Sequence, residues 1–169
     1  MPSTYEKYPF STVLVANAVS ILVYAAGITL CSRVSLYAAW LYAGYCLWME
    51  FRLLRGSCVN CFYYGNRCAF GKGKLSGILF RKGDPARFAD HEFTWKQLWP
   101  DLLLLAIPLL GGIVTLLMRF DLVTVIAMAV ILLLSTMGNA FVRGTLACSH
   151  CAQRELGCPA AQLFNVRTK

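Results

Sequence analysis

The chain has 169 residues, of which 58% are hydrophobic and only 14% are charged, and it carries a formal net charge of +8. An average soluble domain has roughly 25% charged residues. Here the apolar residues lie in long, nearly uncharged blocks, which excludes an ordinary soluble core and predicts an all-α integral membrane protein.

Four apolar blocks approach the length of about 20 residues that a membrane-spanning helix needs. They cover residues 10–31, 34–53, 102–118 and 122–142. The first block exceeds the ~7–15 apolar residues of a signal peptide, so we expect it to be an uncleaved helix. Because only two or three residues separate the members of each pair, at Ser32-Arg33 and at residues 119–121, the blocks predict two tight helical hairpins.

The basic residues predict the orientation in the membrane. Fourteen of the sixteen Lys and Arg residues lie near the N-terminus, in residues 52–96 or in the tail from Arg143, and only Arg33 and Arg119 lie in the hairpin tips. By the positive-inside rule, both termini and the central loop should be cytoplasmic. The positive charge is thereby explained by topology and by attraction to anionic lipid, so we expect a lipid bilayer and no nucleic acid as partner.

The same cysteine motif follows each predicted hairpin. The first copy consists of Arg55-Gly56 followed by Cys58, Cys61 and Cys68. The second copy consists of Arg143-Gly144 followed by Cys148, Cys151 and Cys158. Both copies have the spacing C-x2-C-x6-C, and both hairpins start and finish on the same side. The repeat is therefore parallel and predicts a pseudo-two-fold axis along the membrane normal.

This repeat divides the chain into three predicted parts. Residues 1–70 hold the first hairpin and motif, residues 71–100 form a basic cytoplasmic loop, and residues 101–169 hold the second hairpin and motif. The glycine-punctuated stretch 69–74 is not expected to be a regular helix. Residues 90–99 predict a short interfacial helix on which Trp95 and Trp99 share a face, and Pro100 then opens the third span.

The six motif cysteines are candidate ligands of a soft metal, because both thiolates of a C-x2-C pair can reach one ion. Cytoplasmic cysteines stay reduced, which argues against disulfides. Cys31 and Cys46 lie in or beside apolar blocks and fit neither motif, so we interpret them as small buried hydrophobic residues. His91 and His150 are not expected to be ligands.

In cysteine spacing alone, the two motifs resemble the binuclear zinc cluster of fungal transcription factors, in which two zinc ions share six thiolates. That resemblance implies that Cys58 and Cys148 bridge two Zn²⁺ ions. One ion would be completed by Cys61 and Cys68, and the other by Cys151 and Cys158. The two halves are joined by a short link in that family and by about eighty residues here. The resemblance therefore implies the same coordination of zinc by these cysteines, and it does not imply DNA binding.

Six thiolates and two Zn²⁺ ions together carry a net charge of about −2. Four arginines near the motifs are expected to offset it: Arg55, Arg67, Arg143 and Arg154.

An iron–sulfur cluster is the alternative occupant. Cys158-Pro159 is similar to the end of a bacterial ferredoxin motif, although those motifs space their cysteines by two or three residues. One four-iron cluster leaves two thiolates unused, and two clusters each need a ligand from outside the motifs. Metal-free thiol chemistry is disfavoured because the pairs face the reducing compartment. Covalent haem requires C-x-x-C-H, which neither pair provides.

Two functions follow from these alternatives, and enzyme activity has no support in the sequence. No ionisable residue lies at mid-depth in a span, and no catalytic triad or metalloprotease motif is present. With zinc, the protein is a structural or interaction subunit in which the metal joins the two hairpins and the cytoplasmic loop binds a protein partner. With iron and sulfide, it is a redox subunit that passes electrons to a membrane carrier.

Overall fold

The computed structural model describes residues 4–85, 88, 95–156 and 158, which form helices joined by short turns. The α-helices are α1 (Phe10–Val34), α2 (Leu36–Gly56), α3 (Lys72–Leu79), α4 (Trp95–Met118) and α5 (Leu122–Leu133). Within these described ranges, extended backbone pairs only at a bridge between Tyr5 and Cys151. The predicted all-α class is confirmed.

The chain beyond α5 stays helical but changes its winding. Two π-helical segments, Leu134–Gly138 and Val142–Ala147, flank a single α-helical turn at Asn139–Phe141. A 3-10 turn, Cys148–His150, follows directly. π-Helical segments are rare and occur frequently at functional sites. The second segment contains Arg143-Gly144 and ends directly before Cys148.

Three helices in the described part of the chain are long and apolar enough to cross a membrane: Phe10–Val34, Leu98–Met118 and Leu122–His150. They confirm the predicted membrane association. Helix α2 forms where another span was predicted, but it is not among the three. Glu50, Arg52 and Arg55 occupy its last two turns, so its uncharged part is about 21 Å long, against roughly 30 Å of bilayer hydrocarbon.

Tight links join α1 to α2 and α4 to α5. Ser35 alone separates the first pair, and its hydroxyl accepts a hydrogen bond from the Ala38 N–H at 3.0 Å. Asp121 caps α5 by accepting hydrogen bonds from the backbone N–H and the hydroxyl of Thr124, at 3.2 and 2.8 Å. Arg33 Nε lies 3.4 Å from Asp121 Oδ2, so an ion pair connects the two links.

The described residues form two compact units drawn from interleaved segments. The span unit comprises Ala18–Glu50 and Thr94–Asn139, and the motif unit comprises the described residues of Met1–Asn17, Phe51–Phe93 and Ala140–Lys169. The motif unit therefore contains both cysteine motifs, although about eighty residues separate them in the chain. The three-part division at residues 70 and 100 stays a prediction.

The span unit is held by close packing around Tyr42. A Cβ on Gly27 would lie 2.6 Å from the Tyr42 ring, so glycine is needed for this approach. The Tyr42 hydroxyl donates to the Leu104 carbonyl at 2.8 Å. Cys31 and Cys46 are buried in the same cluster, which agrees with their interpretation as small hydrophobic residues. Close packing and interhelical hydrogen bonds are the forces that join helices in lipid.

The prediction that the glycine-punctuated stretch 69–74 is not regular helix was wrong for residues 72–74, because α3 begins at Lys72, whereas residues 69–71 lie in a turn before it. Its glycines serve close packing. A Cβ on Gly73 would lie 2.2 Å from the carbonyl oxygen of Tyr63. Gly71, just before α3, has a left-handed backbone with φ of +69°, which glycine adopts without strain. Tertiary packing thus overrides the low intrinsic helix propensity of glycine.

Trp95 and Trp99 open α4 and do not close a separate interfacial helix, which corrects the prediction for the described part of residues 90–99. Helix α4 continues through Pro100, whose carbonyl accepts a hydrogen bond from the Tyr45 hydroxyl at 2.8 Å. Residues 90–94, including His91, lie outside the described residues. The two tryptophans are 76% and 55% exposed, as an interfacial position requires.

Candidate metal site

The first C-x2-C pair lies in a tight turn that follows α2. The backbone N–H of Cys61 donates to the Cys58 carbonyl at 3.4 Å, which closes the 3-10 turn Cys58–Asn60. Cys61 itself is extended, with φ −82° and ψ 150°. Burial disfavours the Cys61 thiolate, and the backbone N–H of Tyr63 partly offsets this effect. Such donors stabilise a charged sulfur in a buried place.

The second C-x2-C pair has the same local structure. The N–H of Cys151 donates to the Cys148 carbonyl at 3.4 Å, and Cys151 is extended, with φ −84° and ψ 118°. The N–H of Gln153 favours the Cys151 thiolate, as the N–H of Tyr63 does for Cys61. In both turns the donor lies two residues after the second cysteine. The two motifs therefore share a backbone conformation as well as a spacing.

Thiols from the two motifs lie close enough to interact electrostatically. Cys61 interacts with Cys68 and Cys158, and Cys151 interacts with Cys61, Cys148 and Cys158. The motif unit thus brings together five of the six predicted ligands, from segments that are far apart in the chain. All five are partly buried. The Cys68 sulfur also accepts a hydrogen bond from the N–H of Gly73, in the first turn of α3, at 3.4 Å.

Burial favours the protonated form of two central thiols. It raises the pKa of Cys61 to about 11, and the nearby Cys68 and Cys158 add to this effect. Burial likewise raises the pKa of Cys151 to about 12. Because a metal binds the thiolate, any metal at this site must displace these protons.

The side chains of the motif cysteines lie near one another but do not form a complete coordination sphere. Among the residues that the structure describes, no three Cys, His, Asp or Glu side chains are arranged so that they could hold a metal ion. Cys58, partly buried at the start of the first turn, stays a predicted ligand. The fit of a metal to this site rests on donor chemistry, since partly buried thiols with N–H donors suit a soft cation.

Two hydrogen bonds connect the first motif to the second. The N–H of Phe62 donates to the Gln153 side-chain oxygen at 2.7 Å, and the N–H of Ala152 donates to the Tyr63 hydroxyl at 3.1 Å. Each bond lies within two residues of the second cysteine of a pair. Gln153 is only 2% exposed, and its side-chain nitrogen has no hydrogen-bond partner in the described part of the chain. A nearby thiolate would be a suitable acceptor for it.

Three tyrosines enclose the two turns. Tyr5 donates its N–H to the His150 carbonyl at 3.0 Å and stacks on the His150 ring at a centroid distance of 4.8 Å. The Tyr63 hydroxyl donates to the Tyr5 carbonyl, and the Tyr8 hydroxyl donates to the Ala147 carbonyl. Sequence reasoning missed these tyrosines and Gln153. No periodicity or motif marks them, and only the fold places them at the cysteines.

Two of the four predicted charge-balancing arginines interact with a motif cysteine. The positive charges of Arg143 and Arg154 both act on Cys148. The roles predicted for Arg55 and Arg67 stay predictions.

Taken together, these residues supply buried sulfur donors, N–H groups that stabilise thiolates, and compensating positive charge. Thiolates are ligands that soft cations prefer, and the hydrogen bonds between the two turns join two distant chain segments. No protein-family model, curated protein or solved structure matches this chain.

Proposed function

We propose that the six motif cysteines bind two Zn²⁺ ions and that the bound metal fastens the two motif-bearing segments of this membrane protein together. The observation that carries the proposal is the meeting of two like C-x2-C turns, which the Phe62–Gln153 and Ala152–Tyr63 hydrogen bonds join. In lipid, apolar surfaces do not drive helices together as they do in water. A metal ion that takes ligands from both segments would hold these segments together.

The chain's own residues prepare the site in this proposal. The hydrogen bond between Phe62 and Gln153 and the one between Ala152 and Tyr63 hold the turns at a fixed separation. Backbone N–H groups stabilise the thiolates that remain after the protons leave. Because all ligands come from the protein, no coordination position is left open for a substrate, which is typical of structural zinc. The protein is then a structural or interaction subunit with a cytoplasmic protein partner.

The same proposal includes four spans, with both termini and the cysteine motifs in the cytoplasm. The distribution of fourteen of the sixteen basic residues supports it. Helix α2 is the short span. Its Glu50 accepts a hydrogen bond from the Tyr24 hydroxyl at 2.6 Å, which lowers the cost of placing a carboxylate near the hydrocarbon. Arg52 and Arg55 can extend toward the headgroups.

We expect a reporter enzyme that is active only outside the cytoplasm to be inactive when fused to the C-terminus. The reason is that four spans return the chain to the side on which it started. An active C-terminal fusion together with an inactive fusion in the α1–α2 link would contradict this orientation.

The experiment for the metal is elemental analysis and an absorption spectrum of the full chain, purified anaerobically in detergent. We expect about two zinc ions per chain and no visible absorption, because Zn²⁺ has a filled d shell. Iron with sulfide and an absorption band at about 400 nm that dithionite bleaches would overturn the zinc proposal in favour of the electron-transfer alternative. A chain that retains no soft metal would overturn both.

A further inference from the structure

Helix α3 has its small residues inside and its apolar residues outside. Gly73 and Ser76 form its buried side, and Ser76 has no exposed surface. Leu75, Ile78 and Leu79 are 45%, 72% and 56% exposed. A helix on the surface of a water-soluble protein has the reverse arrangement. The outer side of α3 is therefore suited to an apolar environment.

Neighbouring aromatic residues extend this apolar side. Phe80 directly follows α3, and its ring meets the Phe51 ring edge-on at 5.2 Å. Phe51 is itself 48% exposed. The α3 patch is the group of five side chains formed by Phe51, Leu75, Ile78, Leu79 and Phe80. Single exposed apolar residues are common, but a contiguous patch marks an interaction surface.

Basic residues predominate around the α3 patch along the chain. Lys72, Lys74, Arg81 and Lys82 flank it, and the nearest acidic residues in the sequence are Glu50 and Asp84. Lys74, Arg81 and Lys82 are exposed. Apolar side chains beside mainly basic ones are the pattern of a helix that lies in the surface of an anionic membrane.

We propose that the α3 patch inserts into the headgroup region of an anionic lipid bilayer. Leu75, Ile78 and Leu79 would contact the upper part of the acyl chains, and the flanking basic side chains would contact lipid phosphates. Charge complementarity selects this occupant, because anionic lipid presents a continuous negative surface to the exposed basic side chains of Lys74, Arg81 and Lys82. The chain already carries three helices that are able to cross a membrane, so lipid is close to it. The proposal does not depend on the metal.

The lipid contact would be rigidly coupled to the first cysteine motif. The N–H of Gly65 donates to the Gly73 carbonyl at 2.9 Å, and the N–H of Gly83 donates to the Val59 carbonyl at 3.0 Å. Val59 lies between the two cysteines of the first pair. Hydrogen bonds on both sides of α3 therefore fix the patch to the loop that carries Cys58 and Cys61, and lipid binding would steady this loop.

The test is amide hydrogen exchange of the full chain in nanodiscs of phosphatidylcholine alone and of equal parts phosphatidylcholine and phosphatidylglycerol. We expect the amides of residues 74–80 to exchange at least about fivefold more slowly in the anionic discs, the factor that corresponds to roughly one basic side chain at the surface. Ile78→Glu should abolish this difference. Leu156→Glu changes another exposed apolar residue, 54% exposed against 72% for Ile78, outside the patch and should preserve it.

A second variant tests the charges without touching the apolar residues. Lys74→Gln combined with Lys82→Gln should reduce the slowing in anionic discs and leave exchange in neutral discs unchanged. Equal exchange of residues 74–80 in the two kinds of disc would overturn the proposal. A slowing in anionic discs that survives Ile78→Glu would also overturn it, because charge attraction without insertion of the apolar side chains would then explain the slowing.

Discussion

Cys151→Ser is expected to release zinc from the purified chain and to lower its thermal stability more than any single apolar substitution would. The Cys151 thiol interacts with Cys61, Cys148 and Cys158, so its loss affects both halves of the proposed site. Structural zinc contributes an apparent binding free energy on the order of 10 kcal/mol. Losing one ligand should remove several kcal/mol of this. Zinc content and the unfolding temperature in detergent, each with and without a chelator, measure the effect.

Cys46→Ala is the matched control for this prediction. Cys46 is a buried cysteine that packs beside Tyr42 in the span unit, whereas both motifs belong to the motif unit. Its replacement should lower the unfolding temperature through lost packing alone and leave the zinc content unchanged. The decisive comparison is the effect of the chelator on the three chains. The chelator should destabilise the natural chain and Cys46→Ala, and it should have no further effect on a zinc-free Cys151→Ser. A chelator effect that is the same in all three chains would contradict a role for Cys151 as a ligand.

Gly73→Ala is expected to detach α3 from the loop after Cys61. The added Cβ would lie 2.2 Å from the Tyr63 carbonyl oxygen and 2.6 Å from the Asn66 carbonyl oxygen. Both are backbone atoms, which cannot turn aside as a flexible side chain can. Overpacking of this kind costs about 1–3 kcal/mol, and occasionally more; we expect at least the upper value. The unfolding temperature and the hydrogen exchange of residues 72–80 report the change.

Gly44→Ala provides the control for Gly73→Ala, because a Cβ on Gly44 in α2 would meet nothing within 4 Å. There the substitution should stabilise the helix by about 0.5–1 kcal/mol, the usual advantage of alanine over glycine in a helix. If Gly73→Ala were as stable as Gly44→Ala, with unchanged exchange in α3, the close approach of Gly73 to Tyr63 would not exist in solution.

Hydrophobicity explains why the helices were predictable. The four apolar blocks correspond to α1, α2, α4 and the helical stretch that begins with α5, with ends that differ by a few residues. The helix ends at Ser35 and Asp121 follow from side chains that cap the next helix. Counting hydrophobic residue types did not reveal that α2 is not among the three helices apolar enough to cross a membrane, because its block contains tyrosine, tryptophan and glycine as well as Glu50 and Arg52.

The sequence alone determined the helical class, the membrane association and the two cysteine motifs, because apolar runs and motif spacings are local properties of a chain. Only the tertiary structure decided that both motifs lie in one unit, that Gln153 and Tyr63 link them, and that α3 forms around glycine. The physical reason is that these features depend on contacts between residues far apart in the chain. Phe62 and Gln153 are 91 positions apart, and no local pattern specifies that they meet.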